Sequence, residues 1–177
     1  MLFPTHLLVG YVLGRRWDLP ALAAVAGAAL PDVVDKPLAM AGVVGLYQTV
    51  GHSLLALVVA GVAVGAGRSG RHRWTGRSAW RAGVDGSWLA GPSALALLVG
   101  WASHLVLDAV HMTVNGRPAD VQFLAWPLLR HVPAVQLPPV EFMFHYLWTP
   151  SFFLEAATWV GIGLLLATGR MDPAEST

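Results

Sequence analysis

The chain contains no cysteine and little charge. Without cysteine there is neither a disulfide nor a thiolate metal site, which leaves histidine and carboxylate as the available ligands. Charged residues make up 12% of the 177 positions, against about 25% in soluble domains. No sign of charge predominates either: 11 Lys and Arg face 10 Asp and Glu, so no overall field draws the chain to nucleic acid. A basic n-region is missing from Met1-Leu2-Phe3-Pro4-Thr5-His6, and signal cleavage is not expected. There is no internal repeat and no low-complexity tract. What is abundant is apolar: 55% of residues are hydrophobic. The composition implies an all-α integral membrane bundle, one domain over residues 1–169, followed by a polar tail at 170–177 expected to be disordered.

In chain order, Pro4 opens a short helix running to Gly14, closed by Arg15-Arg16. A second short apolar run, Leu19 to Leu30, is rich in Ala and Gly, which suits close helix packing. It is expected to stop at Pro31, ahead of Asp32 and Asp35. Neither run reaches the ~20 residues a span needs. About three full spans follow: Val43 to Ala66, Trp88 to His111, and a last region formed by Val140 to Trp148 and Phe152 to Thr168, bent at Pro150. Between the second and third, Asn115-Gly116 and Pro118 mark turns, and Val121 to Leu129 is a short apolar piece.

The loop Arg68 to Arg81 holds five arginines and no acid, so the positive-inside rule makes it cytoplasmic, with Trp74, Trp80 and Trp88 as interfacial anchors. That orientation puts His52 in the outer half of one span, and His104, Asp108 and His111 in the outer third of the next. At 1.5 Å per residue, His52 and His104 stand ~21 and ~24 Å above the inner face, at one level. His104, Asp108 and His111, four and then three residues apart, share a helical face. His6, Asp32 and Asp35 fall on the same outer side, as does the i, i+4 pair Glu141 and His145. His72 and His131 lie in loops beside arginine and are assigned to solvent.

Ionisable groups in apolar spans are costly and mark functional sites. Imidazoles and carboxylates together suit divalent zinc, manganese or iron, and such ions favour displacement at phosphorus. The outer interface is where lipid headgroups lie, so the expected function is hydrolysis of a phospholipid or lipid-linked phosphate, with Arg117 and Arg130 pairing with the phosphate. Taken singly the same residues also read as packed histidines, helix-surface hydrogen bonds or solvated loop arginines. Two other functions stand beside the hydrolase. A transporter would spread ionisable groups through the bilayer depth, whereas the inner halves of both long spans hold none; a noncatalytic metal-binding membrane protein would keep the site without the chemistry.

The ordered set Thr5-His6-Leu7-Leu8, Leu30-Pro31-Asp32-Val33-Val34-Asp35-Lys36-Pro37, Gly51-His52-Ser53-Leu54-Leu55, His104-Leu105-Val106-Leu107-Asp108 and Leu124-Ala125-Trp126-Pro127-Leu128 resembles the family of membrane-bound metal-dependent hydrolases of the inner membrane. More distantly it is similar to the zinc-dependent phospholipase C and single-strand nuclease superfamily. The resemblance covers roughly residues 1 to 150. It implies one to three divalent ions, zinc first. Asp32 or Asp35 joins His52, His104 and Asp108 on a principal ion, and Asp108 bridges to a second held by His6. A third falls to His111 with Glu141 and His145, whose order is reversed relative to the superfamily. Asp32 and Asp108 are the carboxylates the resemblance makes catalytic. Where relatives carry a His-Arg pair, this chain has Tyr47-Gln48, and Met1 stands where the secreted enzymes have tryptophan.

Overall fold

The structure, a computed structural model, describes residues 2–71, 91–130 and 132–168. Among them all regular structure is helical: α1 (Phe3–Arg16), α2 (Ala21–Met40), α3 (Leu54–Arg71), α4 (Pro92–Val114), a 3-10 helix (Pro118–Ala125), α5 (Pro139–Tyr146) and α6 (Pro150–Ala167). His72, Trp74, Trp80, Trp88, His131 and the tail from Arg170 lie outside the described residues, as does most of the arginine loop.

Proline at the first turn and arginine in the last frame α1 as the sequence suggests, although the helix runs two residues past Gly14. The second helix departs from expectation. Instead of stopping at Pro31, α2 passes through both Pro31 and Pro37 to Met40. Pro31 is fully buried against neighbouring elements, and packing of this kind offsets the hydrogen bond a mid-helix proline removes. The consequence is functional: Asp32 and Asp35 stand three apart on one helical face rather than in a loop.

Three full spans are expected, but among the described residues one helix, α4, is long and apolar enough to cross a membrane. Its 23 residues and mean hydropathy of 1.6 give a length of about 35 Å, against a hydrocarbon core of about 30 Å. The run Val43 to Ala66 falls short because its first half is not helical: Asp35 binds the backbone there, and α3 starts only at Leu54. Ser53 caps that start, its Oγ accepting from the Ala56 amide at 3.2 Å. The last region is split, as the proline suggests, into α5 and α6 with Trp148 at φ 71° between them.

The bundle is centred on α2, which packs between α1 and α4. At the α2–α4 crossing the backbones touch. A Cβ on Gly100 would stand 1.9 Å from the Ala24 carbonyl oxygen, and one on Gly27 would stand 1.9 Å from the Leu97 carbonyl oxygen. Small residues drive helix association in bilayers through such close approach. On the outside, Val58, Val59 and Val62 of α3, Val106 and Val110 of α4, and Phe153, Val160 and Leu164 of α6 are exposed. An apolar surface of that extent suits a lipid solvent.

Gly100→Ala is expected to force α2 and α4 apart and cost roughly 1–3 kcal/mol, read as a lower Tm of the detergent-purified chain. Gly61→Ala in α3, where a Cβ meets nothing within 4 Å, serves as the control and should not lower Tm.

Candidate metal centre

The crossing sets one face of α4 against α2 and α1. From α4 come His104 and Asp108, one turn apart; from α2 comes Asp32; from the loop before α3 comes His52; from the first turn of α1 comes His6. All are buried, the three histidines at 1% exposure or less. Two groups have ligand atoms close enough to hold an ion, His6 with His104 and Asp108, and Asp32 with His52 and His104.

Hydrogen bonds fix which nitrogen faces inward. His104 Nδ1 lies 2.7 Å from the Ala28 carbonyl oxygen, which can only accept, so Nδ1 carries the proton and Nε2 presents a lone pair. His52 Nδ1 lies 2.8 Å from Asp35 Oδ2, leaving its Nε2 to face the same point. The two Nε2 atoms are 3.2 Å apart. Asp32 Oδ1 stands 3.5 Å from His52 Nε2 and 3.8 Å from His104 Nε2. Asp108 Oδ2 is 3.5 Å from each of the same two nitrogens. Each of the two Nε2 atoms thus lies 3.2 to 3.8 Å from the other and from one oxygen of Asp32 and one of Asp108. Tetrahedral zinc, with ligands at about 2.0–2.1 Å, has its ligand atoms about 3.3 Å apart, so the arrangement fits a divalent ion. Asp108 keeps its other oxygen for His6, with Oδ1 at 3.2 Å from His6 Nε2, the layout of a bridging carboxylate.

Electrostatics agree with the geometry. Burial pulls the His52 imidazolium down, but Asp108, Asp32 and Asp35 around it outweigh burial and push its pKa up to about 10. The pocket of carboxylates demands a positive charge at that point, supplied by a proton or by a metal ion.

Asp35 differs from Asp32. It is fully buried, and its oxygens accept from the Thr49 amide at 2.6 Å, the Thr49 hydroxyl at 2.9 Å, the Gly51 amide at 2.9 Å and the His52 amide at 3.2 Å, besides His52 Nδ1. Asp35 therefore organises the His52 loop and orients the imidazole, while Asp32 faces the centre. Lys36 sits on the other oxygen of Asp32 at 2.7 Å, and Gln48 Nε2 reaches Asp108 Oδ2 at 3.4 Å.

Above the cluster opens a cavity of about 270 Å³. Asp32, His52 and Asp108 form its polar floor; Lys36 and Arg117 contribute cations; Phe3, Leu137, Phe142 and Met143 line the apolar part. His111 also lines it but stands apart from the cluster, its Nδ1 2.7 Å from Ser151 Oγ and its Nε2 3.4 Å from Arg117 Nη2. Arg117 pairs with Asp120 at 3.1 Å.

The structure therefore brings together His6, Asp32, His52, His104 and Asp108. It does not bring Asp35 into the cluster, for the reason given, and it places His111 on the cavity wall. Glu141 and His145 are exposed on α5 and away from the cavity lining. The inward pair on that helix is Phe142 and Tyr146, whose rings lie 5.9 and 5.3 Å from His111. Both pairs are spaced i, i+4, so spacing alone does not say which faces inward. Arg130 is likewise exposed and off the lining. Sequence reasoning missed Lys36 as the partner of Asp32, although the i, i+4 spacing carries the signal. It also missed Glu155, a buried carboxylate inside an apolar helix.

The family model described as YdjM inner membrane protein matches residues 1–171. No curated protein matches the chain, and no solved structure does.

Because Asp35 acts through His52, Asp35→Asn is expected to weaken divalent-metal affinity about 10–100-fold without removing a ligand. Competition with a chelating indicator on the purified chain measures this, and unchanged affinity would remove Asp35 from the account.

Proposed function

The chain belongs to the YdjM inner membrane protein family, and on that premise we propose that it is a membrane-embedded, metal-dependent hydrolase of phosphoesters borne by lipids. The observation that carries the reading is the gathering of Asp32 Oδ1 and Asp108 Oδ2 within 3.8 Å of the paired His52 and His104 Nε2 atoms, on the lining of a partly apolar cavity. A divalent ion there, zinc by its ligand set, supplies Lewis acidity toward a phosphoryl oxygen and a water that is nucleophilic at neutral pH.

The chain's own residues do the rest. Asp35 and the Ala28 carbonyl hold the two imidazoles in the tautomers that bind. Asp108, bridging toward His6, offers a second position. Lys36 and Arg117 line the cavity above and meet the anionic headgroup, while Phe3, Leu137, Phe142 and Met143 receive the carbons next to the phosphate. With the arginine-rich loop on the cytoplasmic side, the centre opens at the extracytoplasmic interface, and α3 and α6 turn their exposed apolar faces to lipid.

Zinc-loaded protein in mixed phospholipid micelles is expected to release phosphate or a phosphorylated headgroup, and chelation is expected to stop it. Asp108→Asn should reduce turnover by more than the roughly 10–100-fold that loss of an outer-shell partner costs. Turnover insensitive both to chelator and to Asp108→Asn would overturn the metal-dependent mechanism, and metal-loaded protein inert toward every phospholipid and lipid-linked phosphate offered would overturn the hydrolase and leave a noncatalytic metal-binding membrane protein.

A further inference from the structure

Most of the circumference of α6 is apolar and exposed, with Phe153, Leu154, Val160 and Leu164 on its outside. One face is different. Ser151, Glu155 and Trp159 recur every four residues and so share a side of the helix. Ser151 and Glu155 are buried, Glu155 at 3% exposure. A carboxylate in such a helix is costly unless donors meet it.

Each of the three residues makes a specific tie. Glu155 accepts from the Leu2 amide, at 3.1 Å to Oε1 and 3.3 Å to Oε2, and from the Tyr146 hydroxyl. Leu2 is the N-cap of α1, a helix with no side-chain cap of its own, so Glu155 supplies from α6 the anion that a helix N-terminus favours. Trp159 Nε1 donates to Thr5 Oγ1 at 2.9 Å, beside His6. Ser151 Oγ meets His111 Nδ1 at 2.7 Å, and its backbone N–H donates to Asn115 Oδ1 at 3.1 Å. The ties thus land on the first turn of α1, which carries His6, and on His111, two histidine positions that flank the His52 and His104 cluster.

His6 needs such outside support. Its Nδ1 is buried without a hydrogen-bond partner among the described residues, whereas His52 and His104 are each fixed through Nδ1. The ring of His6 is oriented by stacking on His104, at 3.8 Å and 17°, and by the placement of the α1 backbone. Whatever holds the start of α1 holds His6.

We propose that the Ser151, Glu155 and Trp159 face of α6 is a positioning face that keeps His6 against Asp108 Oδ1 and so maintains a second divalent-ion position beside the one at His52, His104 and Asp32. The proposal rests on the metal-site reading above. It makes α6, a helix turned mostly to lipid, the element that decides between one bound ion and two, because undocking α6 releases the first turn of α1, where His6 sits, while the rest of α1 stays packed on α2 and α4 and the His52 loop stays in place.

Two measurements on the full detergent-purified chain test it. In metal-free protein, Glu155→Ala should speed carbethoxylation of His6 and amide exchange in the first turn of α1, with His52 and the α2 backbone unchanged. Glu155→Gln, which keeps an acceptor for the Leu2 amide, should stay near wild type. On titration with zinc, Glu155→Ala should weaken the weaker of two binding steps about tenfold or more and leave the tighter step intact. Unchanged His6 reactivity in Glu155→Ala would overturn the proposal, as would loss of both zinc steps in parallel or equal acceleration at His6 and His52, which would mean general loosening. A wild type that binds no zinc, while His6 still responds selectively to Glu155→Ala, would count against the metal site and not against the positioning of α1.

Discussion

Gly27 and Gly100 let α2 and α4 cross with their backbones in contact, and the candidate centre depends on that closeness. Asp32 on α2 must come within 3.8 Å of His104 on α4, and the Ala28 carbonyl must meet His104 Nδ1 at 2.7 Å. Ordinary side chains at the crossing would hold the helices several ångströms further apart, beyond the reach of a short aspartate. The same approach lets a backbone carbonyl, freely available on a helix surface, act as the orienting partner of a histidine. Small residues here do more than pack; they bring ligands into range.

Charge is the second constraint. Asp32, Asp35 and Asp108 lie buried together with His6, His52 and His104 among largely apolar helices, an arrangement that costs several kcal/mol per uncompensated ion. The compensation is divided. Asp35 is satisfied by a loop of amide donors, Asp32 in part by Lys36, and Glu155 at the far side by the Leu2 amide and Tyr146. At the centre the two imidazoles lie close to one oxygen of Asp32 and one of Asp108, the latter also met by Gln48, and the neighbouring cavity carries Lys36 and Arg117. Under the proposed function these cations and the apolar wall beside them would receive a lipid headgroup.

The sequence disclosed which side chains gather better than it disclosed the path of the chain. The i, i+4 spacing of His104 and Asp108 in a long apolar run was enough to put both on one face, and α4 bears this out. His52 does approach His104, but the height argument behind that expectation assumed a helix from Val43. The real cause is the carboxylate of Asp35 gathering the amides of Thr49, Gly51 and His52, a long-range bond no periodicity reveals. Pro31 read as a stop, yet burial carries α2 through it. On α5, Glu141 and His145 share their spacing with Phe142 and Tyr146, and only tertiary packing chooses the aromatic pair. Glu155 was missed although an acid in an apolar helix is itself a signal; its partner at Leu2, at the opposite end of the chain, carries none in the sequence.

The central claim is that a divalent ion sits among His52, His104, Asp32 and Asp108. X-ray absorption at the zinc edge on the purified chain measures that shell directly. The account predicts a four-coordinate ion with two imidazole nitrogens and carboxylate oxygens at about 2.0–2.2 Å, the imidazole signal falling in His52→Ala and in His104→Ala. A shell without imidazole, or one left unchanged by both substitutions, would contradict it.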